Sequence, residues 1–302
     1  MPNTYTIEKD YHNSRFDRWF KAKIIDLPQS LIEKIIRLNK VKINRKKIKS
    51  SYRLQAGDII EIFNISKFKS RNKTKILKYK PTRKEIGVYD NYILENNDNF
   101  IVINKPTGIA VQSGTRSFKN IIDVLKDTKY FENTKPYIVH RLDKETSGVM
   151  IIAKTREYAQ LFTSLFRIRK IHKTYIALTH GKVSSKISTL KDNLLLYNNG
   201  KKIIQKALSY IKLLKTSSDY SYVELNPITG RKHQLRKQLY NIGNPIIGDD
   251  KYFKDRRADK LKYKSKNLML HAYKIKFMIN NIQYNFKANY NKEFENFLKK
   301  NF

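Results

Sequence analysis

The sequence predicts an α+β protein in two parts: a small unit of helix and strands, then a larger unit built on a largely antiparallel mixed sheet with flanking helices. Two observations predict this. Near the N-terminus one apolar helical stripe precedes two short alternating segments, whereas from Tyr92 onward apolar strand-like runs alternate with turns and helical stretches. A third is the length, since 302 residues leave room for one small and one larger core. These shifts place the boundaries at 1–66 for the small unit, 67–90 for a basic linker and 91–302 for the large unit.

In the small unit, Ser30 and Glu33 have capping-box spacing, and Leu31, Ile32, Ile35, Ile36 and Leu38 supply an apolar stripe that ends near Asn39. Val41-Lys42-Ile43 alternates as a strand does, and Gly57-Asp58 turns the chain into Ile59-Ile60-Glu61-Ile62. Ser66 to Lys84 is rich in Lys, Arg, Ser and Asn with little apolar periodicity, the composition of a linker that orders on a polyanion. In the large unit, Phe100 to Ile103 is a strand running into the turn Lys105-Pro106-Thr107-Gly108. Glu157 to Arg169 carries Tyr158, Leu161, Phe162, Leu165 and Phe166 at helical spacing, which reads as core packing rather than an aromatic binding box. Further strands are read at Tyr175 to Leu178, Ser221 to Leu225 and Lys274 to Phe277, and there is no internal repeat.

Lys plus Arg total 63 against 26 Asp plus Glu, a formal charge of +37, so the natural partner is a polyanion. A compositional bias toward Lys, Asn, Ile and Tyr accounts for part of the Lys count but not for the shortage of acids. The charge is densest where the first helix meets the first strand, at Lys34, Arg37, Lys40, Lys42, Arg45, Lys46, Lys47 and Lys49, and this density favours RNA over an ordinary solvated face. No apolar run approaches the roughly 20 residues of a membrane span, and Met1 to Tyr11 lacks the apolar core of a secretory signal. A cytoplasmic protein without membrane association is expected. With no Cys, and six His scattered without a helical pair, no metal site is expected.

The most informative segment is Ile138 to Ala153, two apolar strands around the polar turn His140-Arg141-Leu142-Asp143-Lys144-Glu145-Thr146. If the first strand stays extended to its end, Arg141 and Asp143 project to one side and Leu142 to the other. Spacing alone favours a structural ion pair at a strand end over a catalytic role. A second polar cluster, Thr229 to Arg236, follows a strand and opens a helix, with Gly230 giving the turn its freedom and the first helical amides able to receive a phosphate. Lys173-Thr174-Tyr175 places a phenol at the start of a strand, by default a half-buried packing position.

In this order the segments resemble the RluA-type pseudouridine synthases, from Arg15 to about Phe286. The resemblance rests on His140-Arg141-Leu142-Asp143 with Thr146-Ser147-Gly148, then Lys173-Thr174-Tyr175, Gly230-Arg231 with His233-Gln234-Leu235-Arg236, Pro245 to Asp249, and Leu270-His271-Ala272. Asn104 to Gln112 and the N-terminal part look closest to the RluC branch, which modifies several uridines of 23S ribosomal RNA. Arg15 to Phe63 resembles the small RNA-binding domain named after ribosomal protein S-four, through Arg15-Phe16-Asp17-Arg18, Leu38 to Asn44 and Leu54 to Ile60.

The resemblance implies roles. Asp143 is the nucleophile, attacking the ribose or the uracil ring so that the base detaches, rotates and rejoins through carbon. Arg231 pairs with Asp143 and holds it ionised, and Tyr175 stacks on the base, although a phenol of pKa ~10 is a poor base at neutral pH. Arg141, with His140, Lys173 and Arg236, holds the flipped nucleotide and its RNA, while Lys34, Arg37, Lys40, Lys42 and Arg45 bind RNA from the N-terminal part. Flipping is required because a stacked base hides its glycosidic bond. No cofactor is implied, since nothing is oxidised, hydrolysed or added, and the expected form is a monomer that needs no protein partner. The sequence departs from the family pattern at Lys232, where Thr or Ser is common, at Lys237-Gln238 in place of Val-His, and at Asn244 in place of His. Competing readings are a noncatalytic ribosome-assembly factor, a family member acting on other RNA sites, and a metal-dependent nuclease. The intact Asp143, Arg231 and Tyr175 set disfavours the first, and the scattered acids disfavour the last.

Overall fold

The structure, a computed structural model, describes residues 2–64, 79–113, 119–198, 201–253 and 265–302. The chain divides into two compact units, Met1–Leu77 and Lys78–Phe302.

The first unit runs β1 (Asn3–Thr6), α1 (Phe16–Lys23), α2 (Gln29–Arg37), β2 (Val41–Ile43) and β3 (Ile59–Ile62), with its antiparallel sheet in the order β1-β3-β2. Phe16, Trp19 and Phe20 repeat at helical spacing on α1 and Ile32 and Ile35 on α2, and these residues pack into one core with Val41, Ile43, Ile60 and Ile62. The capping box predicted at Ser30 does not form. Helix α2 begins at Gln29 with Pro28 at the N-cap and no side-chain cap, because Pro28 supplies a helix-ready φ of −54° one residue earlier. It stops where Asn39 turns left-handed at φ 55°. Strand β1 was not predicted: its residues are mostly exposed, so it carries no apolar alternation and exists through backbone pairing to β3.

The predicted linker needs correcting at its C-terminal end. Residues 65–78 lie outside the described residues, but Arg83–Asp90 is a helix, α3, started by a reciprocal capping box between Thr82 and Glu85. It belongs to the second unit.

That unit continues through β4 (Ile93–Asn96), β5 (Phe100–Lys105), α4 (Ile121–Lys126), β6 (Tyr137–Ile138), β7 (Ser147–Ala153), α5 (Arg156–Arg167), β8 (His172–His180), β9 (Thr189–Asn198), β10 (Lys201–Thr216), β11 (Tyr220–Pro227), α6 (Gln234–Asn241), β12 (Leu270–Ile279), β13 (Ile282–Lys287) and α7 (Lys292–Asn301). Its sheet follows β4-β5-β7-β12-β8-β11-β10-β9, with β6 paired to β7 and β13 to β12. Among the described residues, β7 with β12 is the one parallel strand pair, and the fold is the predicted α+β arrangement. The long β9–β10 hairpin was not predicted. The predicted strands at 175–178, 221–225 and 274–277 are the buried middles of longer strands.

One close approach sets the centre of this sheet. Ala272 on β12 lies opposite Gly148 of β7 on one side and opposite Tyr175 of β8 on the other. Gly148 has φ 112°, and a Cβ there would collide with the backbone of Ala272. Only glycine lets β7 sit this near β12, which brings the loop preceding β7 beside the start of β8.

Candidate active site

The first predicted strand of the Ile138–Ala153 segment is only two residues long, so residues 139–146 form a loop rather than extended chain. Its shape comes from the turn after β5. Lys105, fully buried, donates from Nζ to the carbonyls of Pro106 (2.7 Å), Ile109 (3.0 Å) and Lys144 (3.1 Å). Thr107 Oγ1 donates to the Glu145 carbonyl (2.8 Å) and the Gly108 amide to that of Lys144 (3.0 Å). Burial pushes the Lys105 ammonium down to about 7, with Glu145 and Asp143 pulling the other way. A turn read from sequence as punctuation is thus a clamp on the loop that carries Asp143.

The loop opens into a cavity of about 820 Å³. Among the described residues its lining holds eight Lys or Arg side chains, from Arg141, Lys144, Arg167, Arg169, Lys173, Arg231, Lys232 and Arg236, and a single carboxylate, Asp143. Tyr175 lines it too. Leu142 is buried while Arg141 is exposed and Asp143 about 30% exposed, so the anticipated alternation survives although the strand does not.

The opposite wall is the 227–236 segment between β11 and α6. Gln234, nearly fully buried, fixes it: its amide donates to the Leu208 carbonyl (3.1 Å) and Ser209 Oγ (2.9 Å), and its carbonyl accepts from Thr229 Oγ1 (2.7 Å) and the Arg231 amide (3.0 Å). Two of the family departures are absorbed locally. Gln238, wholly buried, accepts from Ser209 Oγ and donates to the Leu190 carbonyl, and Asn244 donates to that of His180.

The structure gives several of the named residues particular partners. Arg231 lines the cavity, but its Nε donates to the Lys206 carbonyl (3.2 Å), and the group beside Asp143 is His233, with Nε2 3.7 Å from Oδ1. Arg236 also lines the cavity, and it is buried in a bidentate pair with Asp249, Nε to Oδ2 at 2.7 Å and Nη2 to Oδ1 at 2.6 Å. His140 accepts the Ile151 amide at Nε2 (2.9 Å) and packs on Phe166 at 4.7 Å between ring centroids. Burial and the neighbouring Lys173 push its imidazole down to about 3, so it stays neutral and braces the loop. Phe166, read as core, packs partly buried against the core of Phe100, Phe162 and Phe277 and also lines the cavity.

The remaining residues named from the sequence have these surroundings. Lys173 lines the cavity, lowered from its ordinary value by burial. Burial and then the Asp143 charge push the Tyr175 phenol well above its usual range, so it remains a neutral donor or stacking surface. In the first unit Lys34, Arg37 and Arg45 are exposed, and Lys40 and Lys42 are half-buried, with Lys42 Nζ over the Phe63 ring at 5.8 Å. Arg45 occupies a left-handed turn position, φ 62°. Sequence reasoning assigned no role to His233, Arg167, Arg169, Lys105 or Tyr252. The available signals were the motif stretches that contain His233 and Lys105, and the position of Arg167 next to Phe166.

No group of three or more potential metal ligands occurs among the described residues, and no described helix is long and apolar enough to cross a membrane.

Residues 99–241 match the family described as RNA pseudouridylate synthase. The chain is 34% identical over 287 residues to ribosomal large subunit pseudouridine synthase C of Buchnera aphidicola subsp. Schizaphis graminum (strain Sg), covering 90% of this chain and 88% of that one. It is 32% identical over 286 residues to the Haemophilus influenzae (strain ATCC 51907 / DSM 11121 / KW20 / Rd) protein of the same name, covering 90% and 86%. Among solved structures, human RNA Pseudouridylate Synthase Domain Containing 4 superposes with a TM-score of 0.60 at 26% identity, covering 71% of this chain and 94% of that one. The chain belongs to the RNA pseudouridylate synthase family and is an isomerase. Within the family it falls in the RluC-like branch.

Proposed function

We propose that the protein isomerises specific uridines of 23S ribosomal RNA to pseudouridine, with Asp143 as nucleophile. The observation that carries the reading is one carboxylate, partly exposed, in a cavity that among the described residues also holds eight Lys or Arg side chains and a neutral phenol. The cations suit the phosphates on either side of a flipped nucleotide, and the lone anion is the one group able to attack it. Asp143 Oδ attacks C1′ of the ribose or C6 of the uracil, the N1–C1′ bond breaks, the base turns so that C5 bonds to C1′, and the bond from Oδ to C1′ or C6 breaks again to restore the carboxylate. N1 gains a proton and C5 loses one, so the atoms balance without a cofactor. Tyr175 presents its ring to the base, and Arg141, which also lines the cavity, helps hold the displaced nucleotide or fills its place. Arg231 holds RNA backbone in this scheme. The N-terminal unit, as an S-four-like domain, supplies affinity through Lys34, Arg37, Lys40, Lys42 and Arg45, and the protein works as a cytoplasmic monomer.

The test is Asp143→Asn, which keeps size and most hydrogen bonding but removes the charge and the nucleophilic oxygen. The expected protein folds, binds RNA and forms no pseudouridine even at enzyme excess. Turnover near the wild-type rate would overturn the assignment. Wild-type turnover in excess chelator, on RNA shown to remain folded, is expected to be unchanged. Pseudouridine mapping in cells lacking the protein identifies the sites.

A further inference from the structure

We propose that His233 is the positioning residue of the nucleophile, holding the Asp143 carboxylate through Nε2–H while Tyr252 fixes the imidazole tautomer from behind. The inference rests on Asp143 being the nucleophile and adds to it the group that orients it.

The geometry is a three-member chain. Tyr252 Oη lies 2.8 Å from His233 Nδ1, and His233 Nε2 lies 3.7 Å from Asp143 Oδ1. The second distance is too long for a hydrogen bond in this structure, and the positioning role requires it to shorten when substrate closes the site. Arg231, which could have filled this place, donates to Lys206 instead. His233 also sits at the N-cap of α6 with φ 53° and ψ 32°, a left-handed conformation that costs a non-glycine residue free energy. Gln234 holds the adjoining backbone in place, and the result is an imidazole aimed into the cavity with its side chain only 13% exposed.

The proton arrangement follows from the neighbours. Asp143, Arg236, Lys251 and Lys232 are the charged groups facing His233, and Asp143 is the only anion among them. Burial first, and then these cations, lower the imidazole from its ordinary value, so it is neutral and has one N–H to give. Burial raises the Tyr252 phenol, which therefore keeps its proton and can donate to Nδ1. With Nδ1 accepting, the single N–H stands on Nε2 and points at the carboxylate. The other tautomer would turn an Nε2 lone pair toward Asp143 and repel it.

The experiment measures kcat and KM on a 23S ribosomal RNA fragment, as a function of pH, for wild type, Tyr252→Phe, His233→Ala and His233→Gln. Loss of one hydrogen bond to a charged group lowers kcat roughly 10- to 100-fold in His233→Ala, with KM within about twofold. His233→Gln recovers part of this, because its amide nitrogen can donate from the same place. Tyr252→Phe keeps the fold and frees the tautomer, so its kcat falls about threefold to tenfold at neutral and higher pH. That deficit shrinks as the pH falls, because an imidazolium carries N–H on both nitrogens and needs no partner to choose between them. A ratio of Tyr252→Phe to wild-type kcat that does not vary with pH, or effects confined to KM, would sink the proposal. An active Asp143→Asn would instead show the nucleophile reading to be wrong, whereas an inactive Asp143→Asn beside fully active His233 and Tyr252 variants removes the positioning role alone.

Discussion

Arg236→Met is the substitution that best separates the two possible roles of that arginine. In the native protein its side chain is 5% exposed and that of Asp249 1%, and two charge-assisted hydrogen bonds join them. Asp249 Oδ1 also accepts the amides of Lys251 and Tyr252 at 3.0 and 2.9 Å, so the pair ties α6 to the turn that carries Tyr252. Removing one partner strands a buried charge, which costs about 3–5 kcal/mol. For a unit of 225 residues, Lys78 through Phe302, that is a melting-temperature drop of about 6–20 °C at ~2–4 °C per kcal/mol. The Arg236 pairing holds Asp249 below the usual carboxylate range against its burial. Its contribution is therefore present above the unfolded carboxylate value and lost as pH falls through the native one. The gap between wild type and variant should accordingly narrow in acid, where the stranded carboxylate can take a proton. Adding Asp249→Asn to the variant removes the charge but keeps an acceptor for both amides, and should restore at least half of the loss. Calorimetry and RNA binding on the same preparation decide the matter. An unchanged melting temperature with weakened RNA binding would refute the structural role and return Arg236 to the RNA-binding role read from sequence.

Lys105→Met strands three carbonyls, should cost about 1–3 kcal/mol by chemical denaturation, and should reduce turnover more than RNA affinity because it loosens the Asp143 loop. Gly148→Ala meets both an unfavourable φ and the Ala272 backbone, and a loss of about 2–5 kcal/mol is expected; a neutral result would contradict the close β7–β12 approach. Burial pushes the His271 imidazole down to about 4, where it bridges Ser147 Oγ and the Ala288 carbonyl. Its depressed value means the unfolded chain takes the proton first, so about 3 kcal/mol of stability should be lost between pH ~6.5 and ~4, and a His271→Asn variant should show a shallower acid slope. Replacing Lys34, Arg37, Lys42 and Arg45 with Gln should flatten the salt dependence of RNA binding by about 0.7 log unit for each phosphate that is no longer neutralised; an unchanged slope would remove this face from the RNA interface.

What the sequence determined by itself was local. The strand Phe100–Lys105, the helix at 156–167 and the turn at Gly57-Asp58 were legible because each is fixed by periodicity and turn chemistry within about a dozen residues. Arg141 and Asp143 were legible as cavity neighbours because they are two residues apart on one loop. Tertiary structure decided the rest. Nothing local distinguishes Arg231 from Arg236, five residues further on; both line the cavity, yet only Arg236 is buried in a bidentate pair with Asp249, which the fold of the chain between them brings to it. Phe162 and Phe166 lie on the same helix at core spacing, but only Phe162 is fully enclosed, while Phe166 packs under His140 at the cavity wall, an arrangement set by a loop that precedes the helix by a whole strand. Strand β1 and the clamp by Lys105 were invisible for the same reason: a backbone pairing and three hydrogen bonds to carbonyls leave no trace in side-chain pattern. The partner of Asp143 was decided last and furthest away, by a left-handed residue at a helix start that folding brings within 3.7 Å of it.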